Sequence, residues 1–171
     1  MKAMSPWRLV LYGVCLLLAF GYAASAFRHE SRLGVGTSVP PVKLPVHGSE
    51  AIDLGGSRDQ VLVISFWASY CDPCRAEVPA LNRIQKRGTA QVVGISLDNA
   101  DSAGAQKLAE GLGMAYPIVG GHQNLARTFL VEALPTVYVV ARDGIITFAH
   151  TGVIDEATLE EAVEAASSRR I

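Results

Sequence analysis

One segment of this chain indicates which fold it adopts: Trp67-Ala68-Ser69-Tyr70-Cys71-Asp72-Pro73-Cys74-Arg75-Ala76-Glu77-Val78-Pro79. It follows the apolar run 61–66, which predicts a buried strand, and it opens a helical pattern. Two thiols three positions apart at a strand-to-helix junction have the arrangement of thiol-disulfide exchange. Cys71 precedes the helix N-terminus, where unpaired N–H groups and the positive end of the helix dipole stabilise a thiolate. Cys74, in the first turn, can then close the redox disulfide Cys71-Cys74.

A Cys-x-x-Cys pair is also half of a zinc site, so further ligands have to be considered. The third cysteine is Cys15, inside an N-terminal apolar segment, and the four histidines are scattered without ligand spacing. A structural pair of buried cysteines is another alternative, but Asp72 and Pro73 between the two favour a turn and a helix start over a core strand. We therefore expect neither a metal nor another cofactor.

The segment 61–79, the later Leu134-Pro135-Thr136 and the order of elements between them resemble a thioredoxin-fold protein. More narrowly, they resemble the membrane-anchored, extracytoplasmic thiol-disulfide oxidoreductases of the TlpA/ResA type, over roughly residues 38–168. The resemblance implies that Pro135 is cis and lies against the two sulfurs, leaving the preceding backbone free to pair with a substrate strand. Trp67 matches the family tryptophan beside the site. We expect five residues to shape the site: Trp67, Asp72, Pro73, Leu134 and Thr136.

The fold class implied is α/β, a thioredoxin fold with a central mixed β-sheet flanked by helices. It has an N-terminal β extension and a central αβ insertion, and one N-terminal hydrophobic helix precedes it. The residue pattern predicts strands at 42–46, 51–54, 61–66, 92–97, 116–119, 137–140 and 145–151. It predicts helices at 74–87, 102–111, 124–129 and 155–167.

Glu77 is the candidate for proton transfer. It lies three residues after Cys74 and so shares its helix face. Where cytoplasmic thioredoxins carry a buried, proton-accepting aspartate, this chain has Ser65. The resemblance matches Glu77 to the family glutamate that manages protons at the site, whereas an ordinary solvated helix residue is the alternative.

Asp72 lies between the cysteines, where cytoplasmic thioredoxins usually have glycine. A carboxylate there disfavours a second negative charge and so stabilises the disulfide, which favours a reductant over an oxidant. Helix N-terminal capping explains Asp72 equally well. For Asp98 and Asp101, which follow a predicted strand, we expect helix capping because Ala100 stands where a calcium loop needs a ligand.

Residues 1–27 predict a signal-anchor or a signal peptide. The uncharged stretch 9–27 is longer than a signal h-region of about 7–15 residues and close to the about 20 of a spanning helix. We favour an uncleaved anchor in the bacterial cytoplasmic (inner) membrane with the catalytic domain on its periplasmic side. Cleavage near Ala26 would instead leave a soluble periplasmic protein. Residues 28–37 predict a tether, and residues 38–171 one thioredoxin-like domain.

The composition and the expected compartment limit which partners the protein can have. A net charge of −1 without a basic cluster argues against nucleic acid. We expect disulfide-containing exported proteins as substrates and contact with the membrane through the N-terminal helix. Because the compartment is oxidising, the resemblance also implies a membrane electron donor that re-reduces Cys71-Cys74. It points to apocytochrome c or a copper-site assembly protein as substrate.

Two other functions stay open. A peroxiredoxin-type thiol peroxidase shares the fold, but its cysteine sits in a Pro-x-x-x-Thr-x-x-Cys context. Here Ala68 and Ile64 stand three and seven residues before Cys71. A non-catalytic thioredoxin-like assembly module would need an idle site, whereas both cysteines, Trp67 and Pro135 are present.

Overall fold

The computed structural model describes residues 33–56 and 58–169, together with Trp7. The predicted anchor or signal peptide at 1–27 thus falls outside the described residues, apart from that single tryptophan. Within the described part of the chain, no helix has the length and apolar character needed to cross a membrane.

The described residues form a two-stranded and a five-stranded sheet. Their strands are β1 (Lys43–Leu44), β2 (Ile52–Asp53), β3 (Val61–Trp67), β4 (Ala90–Ser96), β5 (Ile118–Val119), β6 (Thr136–Val140) and β7 (Ile146–Thr151). β1 and β2 pair antiparallel, and the larger sheet has the order β5-β4-β3-β6-β7. β3 runs parallel to β4 and antiparallel to β6, so the sheet is mixed. This is the central sheet of the thioredoxin fold, with β1 and β2 as the N-terminal β extension.

Helices flank this sheet. They are α1 (Asp72–Arg87), α2 (Ser102–Gly111), α3 (Gln123–Thr128) and α4 (Glu156–Ser168). α1 begins two residues earlier than predicted because Cys71 caps it and Pro73 occupies its first turn, where a missing N–H costs nothing. It ends at Gly88, whose φ of 69° is the left-handed conformation that glycine adopts without strain.

Strand β3 is buried along its whole length because both faces of the sheet are covered. Alternate side chains therefore enter two different cores. One core lies under α1 and α4 and receives Val61, Val63 and Trp67. The other lies under β1, β2 and α3 and receives Leu62, Ile64 and Phe66. Complete burial explains why the sequence here is a continuous apolar run instead of an alternating one.

The chain ahead of Ser38 also packs on the domain. Leu33 is buried in the second core. The Gly36 N–H donates to the Ile146 carbonyl at 2.8 Å, and the Ile146 N–H donates to the Thr37 carbonyl at 2.9 Å. Residues 33–37, which the sequence assigns to the tether, thus lie against the start of β7. They satisfy backbone groups that an edge strand otherwise leaves open.

Candidate active site

The junction between β3 and α1 presents the two cysteines. Cys71 is the N-cap residue of α1, with extended backbone angles and its Sγ accepting the Cys74 N–H at 3.2 Å. A sulfur thus takes the place that a serine or aspartate oxygen usually occupies at a helix start. The same N–H groups and the helix dipole stabilise negative charge that develops on the Cys71 sulfur.

In the structure, Cys71 and Cys74 form a disulfide with Cα atoms 5.4 Å apart. Their surroundings differ, because Cys71 is 7% exposed and Cys74 is 0% exposed. Cys74 faces the core that α1 shares with β3 and β4. The first sulfur is therefore the one nearer to solvent.

The start of β6 lies beside the end of β3. Thr136 is the register partner of Phe66, and its hydroxyl donates to the Ala133 carbonyl at 2.8 Å. The Leu134-Pro135 peptide bond is cis, as the resemblance implies. Pro135 is buried and its carbonyl accepts the Gly152 N–H at 2.9 Å, while Leu134 is half-buried. The structure thus brings Leu134, Pro135 and Thr136 to the strand end that carries the cysteines.

Trp67 closes β3 as a fully buried side chain, in the same core as both cysteines. Cys71 follows four positions later, after the turn that leads into α1. Trp67 therefore forms part of the floor behind the disulfide, consistent with a residue that shapes the site.

Glu77 is buried, with only 1% of its surface exposed, so it is not a solvated helix residue. Its Oε1 accepts the hydroxyl of Ser65 at 2.9 Å. Burial raises the pKa of Glu77 to about 7, and the Ser65 hydrogen bond opposes this rise more weakly. α1 thus delivers a carboxyl to the β3 position where cytoplasmic thioredoxins carry their aspartate. It can hold or release a proton near neutral pH.

Asp72 lies at the surface in the first turn of α1. Its side chain is 94% exposed, and its Oδ1 lies 3.6 Å from Arg75 Nε. Cys71, and not Asp72, supplies the capping side chain of α1. Asp72 therefore contributes to the site only as a solvated negative charge near the helix N-terminus.

Asp98 contributes to the site in a way that the sequence analysis missed. Asp101 does cap α2, but the Asp98 carboxylate accepts three hydrogen bonds elsewhere. The donors are the Ser69 N–H at 2.9 Å, the Ser69 hydroxyl at 2.7 Å and the Ser96 hydroxyl at 2.9 Å. Because Ser69 lies two residues before Cys71, Asp98 fixes the turn that presents the first sulfur. The signal available in the sequence was a carboxylate directly after the strand predicted at 92–97.

No set of three or more histidine, cysteine, aspartate or glutamate side chains lies together as a metal site in residues 33–56 and 58–169. The groups that this strand end presents for a reaction are the two cysteine sulfurs and, on the same helix, the buried carboxyl of Glu77. Thiol chemistry is therefore the reactivity that this arrangement offers.

Comparison with known proteins identifies the family. The AhpC/TSA family matches residues 35–149 of the chain. The thiol-disulfide oxidoreductase ResA of Geobacillus thermodenitrificans (strain NG80-2) is 27% identical over 167 residues, covering 92% of this chain and 95% of ResA. The thiol:disulfide interchange protein DsbE of Pseudomonas fluorescens biotype C is 28% identical over 133 residues, covering 77% of this chain and 74% of DsbE.

A solved structure shows the same fold. The thiol-disulfide oxidoreductase from Bacteroides fragilis NCTC 9343 superposes with a TM-score of 0.62 at 24% identity, covering 75% of this chain and 99% of that protein. The resemblance read from residues 61–79 and 134–136 is thus confirmed. The chain belongs to the AhpC/TSA family and is a thiol-disulfide oxidoreductase of thioredoxin fold.

Proposed function

We propose that the protein reduces disulfides in exported proteins, with Cys71 as nucleophile and Cys74 as resolving cysteine. The observation that carries the proposal is the position of the pair at the start of α1. The first sulfur caps the helix and lies nearer to solvent, while the second is buried three residues before a buried carboxyl. Such an asymmetry suits a reaction in which one sulfur meets the substrate and the other only its partner.

The reaction balances in two steps. In the first, the Cys71 thiolate attacks one sulfur of a substrate disulfide, forming a mixed disulfide and releasing the other substrate sulfur as a thiolate. In the second, the Cys74 thiolate attacks the Cys71 sulfur, which forms the Cys71-Cys74 disulfide and releases the second substrate thiolate. Two electrons pass from the dithiol to the substrate, and both released thiolates take up protons from water.

Glu77 is the proposed proton acceptor for Cys74. The Cys74 thiol is fully buried, so bulk water cannot take its proton directly. Glu77 is on the same helix face, and its pKa near 7 leaves part of the population ionised and ready to accept at neutral pH. The Ser65 hydroxyl holds the carboxyl in place through Oε1.

The compartment and the partners form part of the same proposal. Residues 1–27 would anchor the protein in the bacterial inner membrane with residues 38–171 on the periplasmic side. A membrane protein would return electrons to Cys71-Cys74, because an oxidising compartment does not keep the pair reduced. Apocytochrome c before haem attachment and a copper-site assembly protein are the two candidate substrates.

Insulin reduction by the full chain with dithiothreitol tests the activity. We expect wild-type protein to accelerate insulin precipitation, and Cys71→Ser to abolish the acceleration. Absence of acceleration by the wild type would contradict the proposal and would support a non-catalytic module. If the reduced protein consumes peroxide faster than it exchanges disulfides, the result would support a thiol peroxidase instead.

A further inference from the structure

Three polar atoms lie buried behind the disulfide without a hydrogen-bond partner among the described residues. They are Trp67 Nε1, Glu77 Oε2 and Tyr116 Oη. Tyr116, in the segment before β5, is 4% exposed, and the other two side chains are more buried still. Buried polar groups are rarely left unsatisfied, because each one costs the free energy of its lost hydration. Three of them in one part of a core therefore call for a common explanation.

The sheet brings Trp67 and Tyr116 together at Gly94, next to the serine that holds Glu77. Gly94 on β4 is the register partner of Ser65, which holds Glu77. A Cβ built on Gly94 would lie 3.0 Å from Trp67 Nε1 and 3.0 Å from Tyr116 Cε2. The Gly94 N–H also donates to the Pro117 carbonyl at 2.9 Å, which fixes the segment that carries Tyr116. The absence of a side chain on Gly94 thus lets the indole and the phenol reach the space beside Glu77.

The chemistry of the three groups decides which of them donate a hydrogen bond and which accepts one. Burial, and then the neighbouring Glu77 carboxylate, raise the pKa of Tyr116 far above its ordinary value, so the phenol keeps its proton and is a donor. The indole N–H is also only a donor, whereas an ionised carboxylate only accepts. Two donors and one acceptor are therefore complementary, although none of the three bonds another directly.

The other elements packed on α1 bring no competing charge to this cluster in the described residues. From α2, the buried side chains are Ala105 and Ala109. From α4, Glu156 and Glu160 pair with arginines in the C-terminal half of α1. Among the described residues Glu77 is the one buried side chain with a charge, and the other buried titratable groups of this core are Tyr116 and the two cysteines. The Asp98 carboxylate, at the end of β4, is held by Ser69 and Ser96.

We propose that Tyr116 is a positioning residue that stabilises the carboxylate form of Glu77. Its hydroxyl and the Trp67 indole N–H donate to one shared water molecule, and this water donates to Glu77 Oε2. Each carboxylate oxygen then accepts a hydrogen bond, Oε1 from Ser65 and Oε2 from the water. The inference rests on the proposed function, in which Glu77 takes the proton of Cys74. Tyr116 would thus set the pH at which that transfer begins.

Titration of the Glu77 carboxyl tests this, by ¹³C NMR on the full chain with the disulfide oxidised, so that no thiol titrates with it. Tyr116→Phe keeps the ring and removes only the hydroxyl. Because loss of a donor to the charged form disfavours that form, we expect the Glu77 midpoint to rise by about one pH unit. Ser65→Ala removes the other donor and should raise it as well. In the reduced protein, Tyr116→Phe should move the pH midpoint of resolution by Cys74 in the same direction.

Tyr138→Phe is the matched control. The Tyr138 hydroxyl is also buried, but it donates to the Phe129 carbonyl in the second core, on the opposite face of the sheet. Its loss should leave the Glu77 midpoint unchanged. An unchanged or lowered midpoint in folded Tyr116→Phe, with wild-type insulin reduction intact, would overturn the role of Tyr116 while the proposed function stands. Failure of the proposed function would instead show as a wild type that does not reduce insulin.

Discussion

Replacing Glu77 by glutamine should change how stability depends on pH. Burial raises the pKa of Glu77 from an ordinary 4.5 to about 7 in the folded protein. Below pH 4.5 both folded and unfolded chains hold this proton, so there is no penalty. Between pH 4.5 and 7 the unfolded chain releases the proton while the folded protein keeps it, so stability falls as pH rises. Above pH 7 the full penalty is present.

The size of the penalty follows from the two pKa values. The interval from 4.5 to about 7, at about 1.36 kcal/mol per pH unit, corresponds to about 3 kcal/mol. Glutamine keeps the shape of the side chain but does not titrate. The difference in stability between Glu77→Gln and wild type should therefore change with pH. It should favour the variant by about 3 kcal/mol more at pH 8 than at pH 4.5.

Urea unfolding of the oxidised proteins at several pH values provides the measurement. The quantity to follow is the difference in unfolding free energy between wild type and Glu77→Gln, because other titrating groups cancel in it. Glu50→Gln, at an exposed position in the loop before β2, is the control for the loss of one carboxyl outside the core. If the difference in unfolding free energy between wild type and Glu77→Gln stays constant within about 1 kcal/mol from pH 4.5 to 8, Glu77 is not a buried carboxyl that titrates near neutral pH.

Further outcomes follow from the same geometry. Asp98→Ala should lower the free energy of unfolding by about 2 kcal/mol, because it removes three hydrogen bonds. Asp101→Ala, which removes only the cap of α2, should lower it by about 1 kcal/mol. Urea unfolding compares the two variants, and equal losses would argue against a special role of Asp98. Iodoacetamide should alkylate Cys71 well before Cys74 in the reduced protein, because Cys74 is fully buried. If peptide mapping finds Cys74 modified first, the roles of nucleophile and resolving cysteine are reversed. Asp72→Asn should raise the redox potential of the Cys71-Cys74 pair, but by less than about 20 mV, because Asp72 is exposed and screened by solvent. Glutathione equilibration measures the potential. A larger rise would mean that the Asp72 carboxylate lies closer to the sulfurs than it does in the structure.

Local signals predicted the cysteine pair and its helix. The apolar run before Trp67, the proline between the cysteines and the glycine at position 88 each act within a few residues, so their consequences can be read from the sequence. Even so, the helix start lay two residues earlier than predicted, since a cysteine is not an expected N-cap. Residues 33–37 look like a tether by composition, but their backbone groups pair with β7.

The residues around Glu77 depended on contacts that no local pattern determines. Glu77 lies three positions after Cys74, which is compatible with both a solvated and a buried side chain; only the packing of α1 on Ser65 settles its burial. Asp98 reaches Ser69 because β4 lies parallel to β3 in a particular register. Tyr116 reaches the same region because its neighbour on the sheet is a glycine. Long-range register of this kind follows from the whole fold and not from any one segment.

Trapping of the mixed disulfide tests the central proposal most directly. In the Cys74→Ala variant, Cys71 can attack a substrate disulfide but no resolving thiol follows, so exported proteins should accumulate as disulfide-linked adducts of Cys71 that dithiothreitol releases. The matched Cys71→Ala variant keeps Cys74 in its buried position and should accumulate none. Adducts that form through Cys74 in Cys71→Ala, or an absence of adducts in Cys74→Ala while reduced Cys71 is available, would contradict the account.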